Sequence, residues 1–362
     1  MFDHVYKGKK VLITGHTGFK GSWLALWLTQ MGASVTGFSK YYPSDPCHFQ
    51  ALHLENDLTH VEGDICQYEV LKKVFDQYQP DVVFHLAAQP IVMNAYENPQ
   101  LTFQTNLMGT VNVLECLRHS TSVKAAVMIT SDKCYENVGW DWGYRETDRL
   151  GGADPYSASK ACAEIAVSAY FRSFIKTHPS VKIVTARAGN VIGGGDWAPD
   201  RIVPDCIRAW TNNKTLEIRK PEATRPWLHV LEPISGYLWL GACLLNNPEK
   251  INGEAFNFGP DAEVVSTVQE LVNEMMKYWP GAKCELFRST SKEEAALLKL
   301  SFDKALRKLA WKPVLSFTQT VEMTAQWYRS FYFDHKDMKT NSLAQIAQYV
   351  ELARLKKPGW MS

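Results

Sequence analysis

Val11-Leu12-Ile13-Thr14-Gly15-His16-Thr17-Gly18-Phe19-Lys20-Gly21 joins a β-branched, apolar run to a turn carrying three glycines, and Trp23, Leu24, Trp27, Leu28 and Met31 follow at helical spacing. The stretch therefore reads as strand, tight turn and helix. Only glycine lets such a turn bend sharply and bring backbone close to a pyrophosphate, whose charge then meets the free N–H groups of the helix start. The spacing is G-x-x-G-x-x-G rather than G-x-G-x-x-G, and glycines also mark plain turns. Position between a strand and an amphipathic helix favours the cofactor reading, with Gly15, Thr17, Gly18, Phe19, Lys20 and Gly21 as contacts.

Working outward, the second strand, Ser34 to Phe38, lacks the Asp or Glu that would accept a hydrogen bond from a bare ribose hydroxyl. Ser39-Lys40 stands in its place, and no acidic residue occurs between Asp3 and Asp45. A lysine there suits a 2′-phosphate or solvent alike, so NAD and NADP both stay open. Asp64-Ile65 ends the next strand pattern; its carboxylate can accept from an adenine amino group or cap the helix from Tyr68. Val82 to Ala88 is nearly continuous in apolar residues, as a buried parallel strand is, and its end at Leu86-Ala87-Ala88 leaves room for a flat ring or sugar. Pro99 to Arg118 reads as a long helix containing Asn106 and Gly109, and Lys124 to Thr130 and Lys182 to Arg187 as further strands. This alternation makes the chain α/β, a doubly wound parallel sheet with its ligands at the strand carboxyl ends.

Two groups of chemically active residues fall at such an end: Ser131-Asp132-Lys133, and Tyr156-x-x-x-Lys160. On a helix Tyr156 and Lys160 stack one turn apart, so the ammonium is expected to lower the phenol's pKa towards that of a general base. Beyond them, Ala188 to Trp197 leaves the sheet through a glycine-rich loop, and Arg201, Arg219 and Arg225 follow closely. Any one of them alone reads as a surface arginine; together they suit a diphosphate clamp. A helix over Glu232 to Leu245 and a strand at Ala255 to Phe258 return to the sheet, and helical patterns then dominate at Val264 to Tyr278, Phe302 to Leu309, Phe317 to Phe331 and Ser342 to Leu355. The expected division is a dinucleotide-binding (Rossmann) domain over 1–189 plus about 231–260, and a smaller mixed α/β substrate domain over 190–230 and 261–362.

The 362 residues can bury a large core in one big or two modest domains. A formal charge of +1 without long runs of one sign suggests neither nucleic acid nor a membrane surface as partner. No 18-residue apolar stretch and no leader-like start is present, so a soluble, cytoplasmic protein is expected. Eight cysteines, at 47, 66, 116, 134, 162, 206, 243 and 284, show no C-x-x-C spacing and no Cys/His pairing; reduced thiols and no metal are expected. Twelve tryptophans point to aromatic packing in the core and between helices.

The ordered set of Gly15 to Gly21, Asp64-Ile65, Leu86-Ala87-Ala88, Asn106, Tyr156 with Lys160, and Arg225-Pro226 followed by His229-Val230 resembles the extended short-chain dehydrogenase/reductase family of nucleotide-sugar epimerases and dehydratases. It covers essentially the whole chain. Gly15 to Leu24, His85 to Pro90, Thr130 to Asn137 and Ala186 to Trp197 are most similar to its 4,6-dehydratase branch. That resemblance implies CDP-glucose as substrate, a tightly held NAD regenerated at each turnover, and a first step towards the CDP-linked deoxysugars of bacterial surface polysaccharide. It implies a homodimer, or a dimer of dimers, built on the helices Pro99 to Arg118 and Tyr156 to Lys176. It also implies Gln89 and Asn106 beside the cofactor, and Gln89, Asn190, Arg201, Ile202, Val203, Glu217, Ile218, Arg219, Arg225 and His229 as substrate contacts.

In the related dTDP-glucose dehydratases the Ser131-Asp132-Lys133 site is typically Thr-Asp-Glu, acid then base; Asp132 matches the acid and Lys133 stands where the base would be. An ammonium cannot accept a proton, so Lys133 either loses its charge and takes the C5 proton, the favoured reading, or only stabilises an enolate. A 4-epimerase would use the same Tyr156 and Lys160 without needing Asp132-Lys133. A cofactor-sensing protein on a spent dehydrogenase fold would be expected to lose Tyr156 or Lys160, and both remain.

Overall fold

The structure is a computed structural model that describes residues 1–261, 266–286 and 298–361. The short apolar runs become seven strands: β1 Lys10–Thr14, β2 Ser34–Ser39, β3 Thr59–Glu62, β4 Val82–His85, β5 Ala125–Ile129, β6 Lys182–Ala188 and β7 Ala255–Phe258. All neighbouring pairs are parallel, in the order β7-β6-β5-β4-β1-β2-β3. The direction of winding reverses between β1 and β4, where Val11 pairs with Val82 and Thr14 with His85. A doubly wound sheet opens a crevice at that point, on the carboxyl side of the strands.

Nine helices are used below: α1 Phe19–Gln30, α2 Tyr68–Tyr78, α3 Gly109–His119, α4 Pro155–Ser173, α5 Ile202–Thr211, α6 Leu231–Asn246, α7 Val268–Met276, α8 Phe317–Tyr332 and α9 Met338–Lys356. The expected long helix over Pro99 to Arg118 is continuous but not uniform: α-helical Pro99–Phe103, then a π-helical turn Gln104–Met108, then α3. Such a wide turn re-aims side chains, and here it carries the buried Asn106. The helix expected from Val264 is observed from Val268, where Thr267 and Glu270 form a capping box; Val264 itself lies outside the described residues.

Successive side chains of a strand point to opposite faces, so Val11 and Ile13 enter one apolar layer and Leu12 the other. The first layer continues without a break into α6, α8 and α9, so the C-terminal helices share the sheet's core. Trp27 of α1 meets Tyr349 of α9 edge-on at 5.9 Å, and Tyr349 stacks on Trp360 at 5.6 Å. Trp23, Trp27, Trp311, Trp327 and Trp360 are fully buried, whereas Trp142 is largely exposed. One carboxylate pins this junction: Glu232 accepts hydrogen bonds from the backbone N–H of Val314 and of Leu315, both at 2.7 Å, and from the Tyr349 hydroxyl at 2.7 Å. Burial pushes its pKa up to about 7. Among the described residues no helix is long and apolar enough to cross a membrane, no side-chain cluster could hold a metal ion, and all eight cysteines are free.

Candidate active site

The glycine turn is built for close backbone contact. Gly15 has φ +79°, and a Cβ there would lie 2.7 Å from the Ala87 nitrogen; one on Gly21 would lie 2.1 Å from the Gly15 carbonyl oxygen. Gly18 is the N-cap of α1 and offers no side chain to its first N–H groups, which stay available to an anion. A cleft of about 330 Å³ runs from here across the strand ends, with Ser39, Lys40, Asp64 and Ile65 on one side, Leu86 to Gln89 along its floor, and Ser131, Tyr156, Lys160, Asp196 and Arg201 on the other. Its length, its donor-rich glycine turn and its small floor residues fit a dinucleotide.

At the Lys40 end, the Lys40 ammonium is 2.8 Å from Asp64, whose other oxygen accepts the Cys66 N–H at 2.9 Å. Burial acts upward on the Asp64 carboxyl, but these two donors bring it below its ordinary value. Lys40 is therefore paired with a carboxylate at the cleft's edge. Ser39 accepts the Thr17 N–H at 3.3 Å and hydrogen-bonds His16 Nδ1 at 2.9 Å, while His16 Nε2 meets His60 at 2.7 Å. Burial, with His60 beside it, holds His16 down to about 3, so this relay is neutral. No spacing rule flags a histidine between two glycines, and its role was invisible in the sequence.

Asn106 does not reach the cleft. Its amide donates to the Gln89 carbonyl at 3.1 Å and to Ser159 at 2.9 Å, and its oxygen accepts the Gln89 N–H at 2.8 Å. Gln89 lines the cleft, but its side chain donates to Thr102 at 2.9 Å and accepts the Ile91 N–H at 2.6 Å. The contacts expected of Asn106 are thus corrected: it is the brace behind the wall.

On the Tyr156 side, Ser131 is extended and caps the short turn Asp132–Cys134. Its hydroxyl donates to Asp132 at 2.9 Å and accepts the Lys133 N–H at 3.2 Å; the same Asp132 oxygen accepts that N–H at 3.0 Å. Asp132 packs on bare backbone, since a Cβ on Gly189 would fall 2.0 Å from its carboxyl. Lys133 is half-buried and forms no ion pair among the described residues. Asp154 caps α4 by accepting the Ser157 N–H at 2.9 Å, which sets Tyr156 and Lys160 one turn apart on the cleft wall, 7% and 6% exposed.

The expected tuning of the phenol is corrected. Burial pushes Tyr156 up to about 12; a hydrogen bond with Ser131 acts against this, and the strongest cation acting on it is Arg201. Burial and the neighbouring Lys20 hold Lys160 down to about 8. In the ligand-free cleft, desolvation of a phenolate outweighs what a cation one turn away returns. Beneath the site, Arg187 and Glu164 form a buried bidentate pair at 2.8 and 2.9 Å, joined by Thr130 and by Thr185 at 3.0 Å. Arg187 also donates to the Tyr135 hydroxyl at 2.6 Å. This network ties β5, β6 and α4 under the catalytic turn.

The remaining substrate calls divide. Arg201, N-cap of α5, lies on the cleft and pairs with Asp196 at 2.9 Å. Ile202 and Val203 pack into the apolar core. On the strand Leu216–Ile218, alternation sends Ile218 into the core and Glu217 outward, with Arg219 exposed after it. Arg225 lies in a second ladder, pairing with Ser266, and donates to the Thr224 carbonyl at 2.8 Å. The three-arginine clamp is therefore not assembled around this cleft; of the three, Arg201 lines it. His229 is fully buried, accepts the Leu231 N–H at 3.3 Å and lies edge-on to Trp23, so it is a core residue. Asn190 sits at φ +51°, its carbonyl accepting the Leu228 N–H at 3.1 Å. A second cavity of about 470 Å³ is lined by Trp140, Trp142, Arg145, Pro226 and Phe302. The sequence reading singled out neither it nor the cleft residues His48 and Asp196.

A family model described as GDP-mannose 4,6 dehydratase matches residues 12–324. The CDP-glucose 4,6-dehydratase of Salmonella typhimurium is 44% identical over 352 residues, covering 95% of this chain and 97% of that protein. Among solved structures, the epimerase Mth375 of Methanothermobacter thermautotrophicus is similar with a TM-score of 0.78 and 28% identity, covering 91% of this chain and 95% of that one. DesIV of Streptomyces venezuelae, a dTDP-glucose 4,6-dehydratase solved with NAD and TYD bound, has a TM-score of 0.76 at 22% identity, covering 90% of this chain and 100% of that one.

Proposed function

The chain belongs to the GDP-mannose 4,6-dehydratase family, and within it we propose that it uses NAD to convert CDP-D-glucose into CDP-4-keto-6-deoxy-D-glucose and water. The observation that carries this reading is the joint placement of Tyr156 and Asp132: a base for the 4-hydroxyl, on the cleft wall with Ser131, and a carboxyl seated on Gly189 and held by the same Ser131. An epimerase needs only the first.

When bound, NAD supplies the acceptor for the C4 hydride and returns that hydride to C6. Tyr156 takes the 4-hydroxyl proton, and the resulting 4-ketone acidifies the C5 hydrogen. The pair of the C5–H bond then becomes the C5–C6 double bond as the C6–O bond breaks. Asp132 delivers its proton to the departing oxygen, which leaves as water; Lys133, acting as the free amine, takes the C5 proton and returns a proton to C5 when C6 is reduced. Ser131 orients the sugar's 4-oxygen, and Arg201 at the Asp196 side of the cleft faces the diphosphate. Residues 1–189 with about 231–260 hold the cofactor; 190–230 with 261–362 hold the nucleotide sugar. The Lys40–Asp64 pair supports NAD over NADP. Exposed Leu101, Met108 and Ile165, on the helical run before α3 and on α4, support a homodimer through these helices.

Turnover of CDP-, dTDP- and UDP-glucose in deuterated water tests the reading. CDP-glucose should be consumed fastest and yield a 6-deoxy-4-ketosugar with deuterium at C5. Unlabelled CDP-galactose would assign the chain to the epimerases, and an unchanged sugar would remove it from both classes.

A further inference from the structure

A line of buried polar side chains joins the floor of the crevice to its catalytic wall. Thr14 ends β1 and His85 ends β4, and the two pair across the point where the winding reverses. The Thr14 hydroxyl is 2.7 Å from His85 Nδ1, and His85 Nε2 is 3.1 Å from the Thr110 hydroxyl on α3. Thr110 in turn donates to the Asn106 carbonyl at 2.7 Å. The Asn106 amide grips Gln89 of the floor and donates to Ser159 at 2.9 Å, and the Ser159 hydroxyl donates to the Tyr156 carbonyl at 2.7 Å. Thr14, His85, Thr110, Asn106 and Ser159 are all buried. One arrangement of protons satisfies the whole line. A carbonyl can only accept, so the Thr110 proton goes to Asn106, and Thr110 must accept from His85 Nε2–H. The neutral ring then has a bare Nδ1, which takes the Thr14 proton and leaves the Thr14 oxygen to accept the Ala87 N–H, 3.4 Å away on the floor. Burial, with Lys160 acting in the same direction, holds His85 down to about 3, so the ring stays neutral and keeps this tautomer.

We infer that His85 is a positioning residue for C4 oxidation: through Thr110, Asn106 and Ser159 it holds the first turn of α4, and with it the Tyr156 phenol, at a set place over the crevice floor. The inference rests on the reading of Tyr156 as the base for the 4-hydroxyl. The Asn106 amide interrupts the line as a path for protons, so its work is mechanical. A fully paired buried network has one favoured geometry, and removing a member leaves its neighbours unpaired in a dry setting. The neighbours here are the floor at Ala87 and Gln89 and the helix turn that carries Tyr156. A displacement of about 1 Å between a base and its substrate costs on the order of 100-fold in rate.

The test uses the full-length chain in an Asp132→Asn background, where water loss is slow and the near-ultraviolet absorbance of reduced nicotinamide after rapid mixing with CDP-glucose reads C4 oxidation directly. Into it are placed His85→Phe, which keeps the ring but neither nitrogen, His85→Gln, which restores a donor towards Thr110, and Ser159→Ala, at the far end of the line. NAD affinity is followed by titration and the fold by circular dichroism. His85→Phe and Ser159→Ala should each slow C4 oxidation by roughly 10- to 100-fold with NAD affinity nearly unchanged. His85→Gln should recover most of that rate. Combining His85→Phe with Ser159→Ala should add little, since both cut one line. Thr110→Val, which cuts the line beside His85 at nearly constant volume, should give the same slowing and decides the matter if His85→Phe does not fold. C4 oxidation within about threefold of the background in the folded variants would make His85 a residue of the fold alone and overturn the inference. So would losses that multiply in the combined variant, no recovery with His85→Gln, or weakened NAD binding that accounts for the slowing. If the Asp132→Asn background itself forms no reduced nicotinamide, the reading of Tyr156 fails, and that result is separate from any of these.

Discussion

Replacing Gly189 by alanine tests whether Asp132 is held in place for proton transfer by the backbone beneath it. A methyl group built on Gly189 would lie 2.0 Å from both Cγ and Oδ2 of Asp132 and 2.4 Å from Oδ1. Unstrained carbon contacts need about 3.5 Å, so either the carboxyl or the end of β6 must move by roughly 1.5 Å. The carboxyl cannot simply swing aside, because Oδ1 is tied to the Ser131 hydroxyl and the Lys133 N–H and the side chain is buried. A misplacement of about 1 Å in a catalytic group costs on the order of 100-fold, or about 2.7 kcal/mol of barrier. The expected outcome is a kcat lowered about 100-fold with the KM for CDP-glucose nearly unchanged and reduced nicotinamide still formed, since C4 oxidation does not use Asp132. Steady-state kinetics with CDP-glucose, alongside circular dichroism to confirm the fold, provide the assay. A kcat within about threefold of the parent would refute the reasoning. The pathway is checked in an Asp132→Asn background, where Gly189→Ala should add almost nothing, because both changes remove one function.

Tyr156→Phe should abolish reduced nicotinamide formation while leaving NAD binding intact, checked by absorbance and titration; normal turnover would contradict the assigned role. Asp132→Asn should slow water loss by on the order of 100-fold or more with little change in sugar binding; equal losses of both would make it a binding residue. Glu232 has its folded pKa raised from 4.5 to about 7, so its contribution to stability is full below about 4.5 and is lost as pH rises through about 7. At about 1.4 kcal/mol per pKa unit the fall is about 3 kcal/mol, and Glu232→Gln should remove it from denaturation profiles across that window; an unchanged pH slope would sink the assignment. Glu164→Gln leaves the buried Arg187 guanidinium without its carboxylate and should cost about 3–5 kcal/mol in chemical denaturation; a loss below about 1 kcal/mol would mean the pair is not holding the catalytic turn.

The sequence by itself determined everything that depends on neighbours along the chain. Runs such as Val11 to Thr14 and Val82 to Ala88 are strands because uninterrupted apolar residues must be buried on both faces. The glycine turn follows from conformations and approaches that only glycine permits, and Tyr156 with Lys160 on one wall from the helical period. Matters set by side chains meeting across many residues of separation needed the tertiary structure. Alternation on a three-residue strand, with no apolar periodicity long enough to read, turned Ile218 into the core and left Arg219 in solvent. His229 was claimed by Trp23 and the core, and Asn106 by Gln89 and Ser159 through a π-helical turn. The sequence places Lys40 at the ribose but not Asp64 against it, and pairs Tyr156 with Lys160 but not with the burial that raises its pKa. Charge, solvation and pairing depend on what surrounds a group from every direction, and a linear pattern records only two of them.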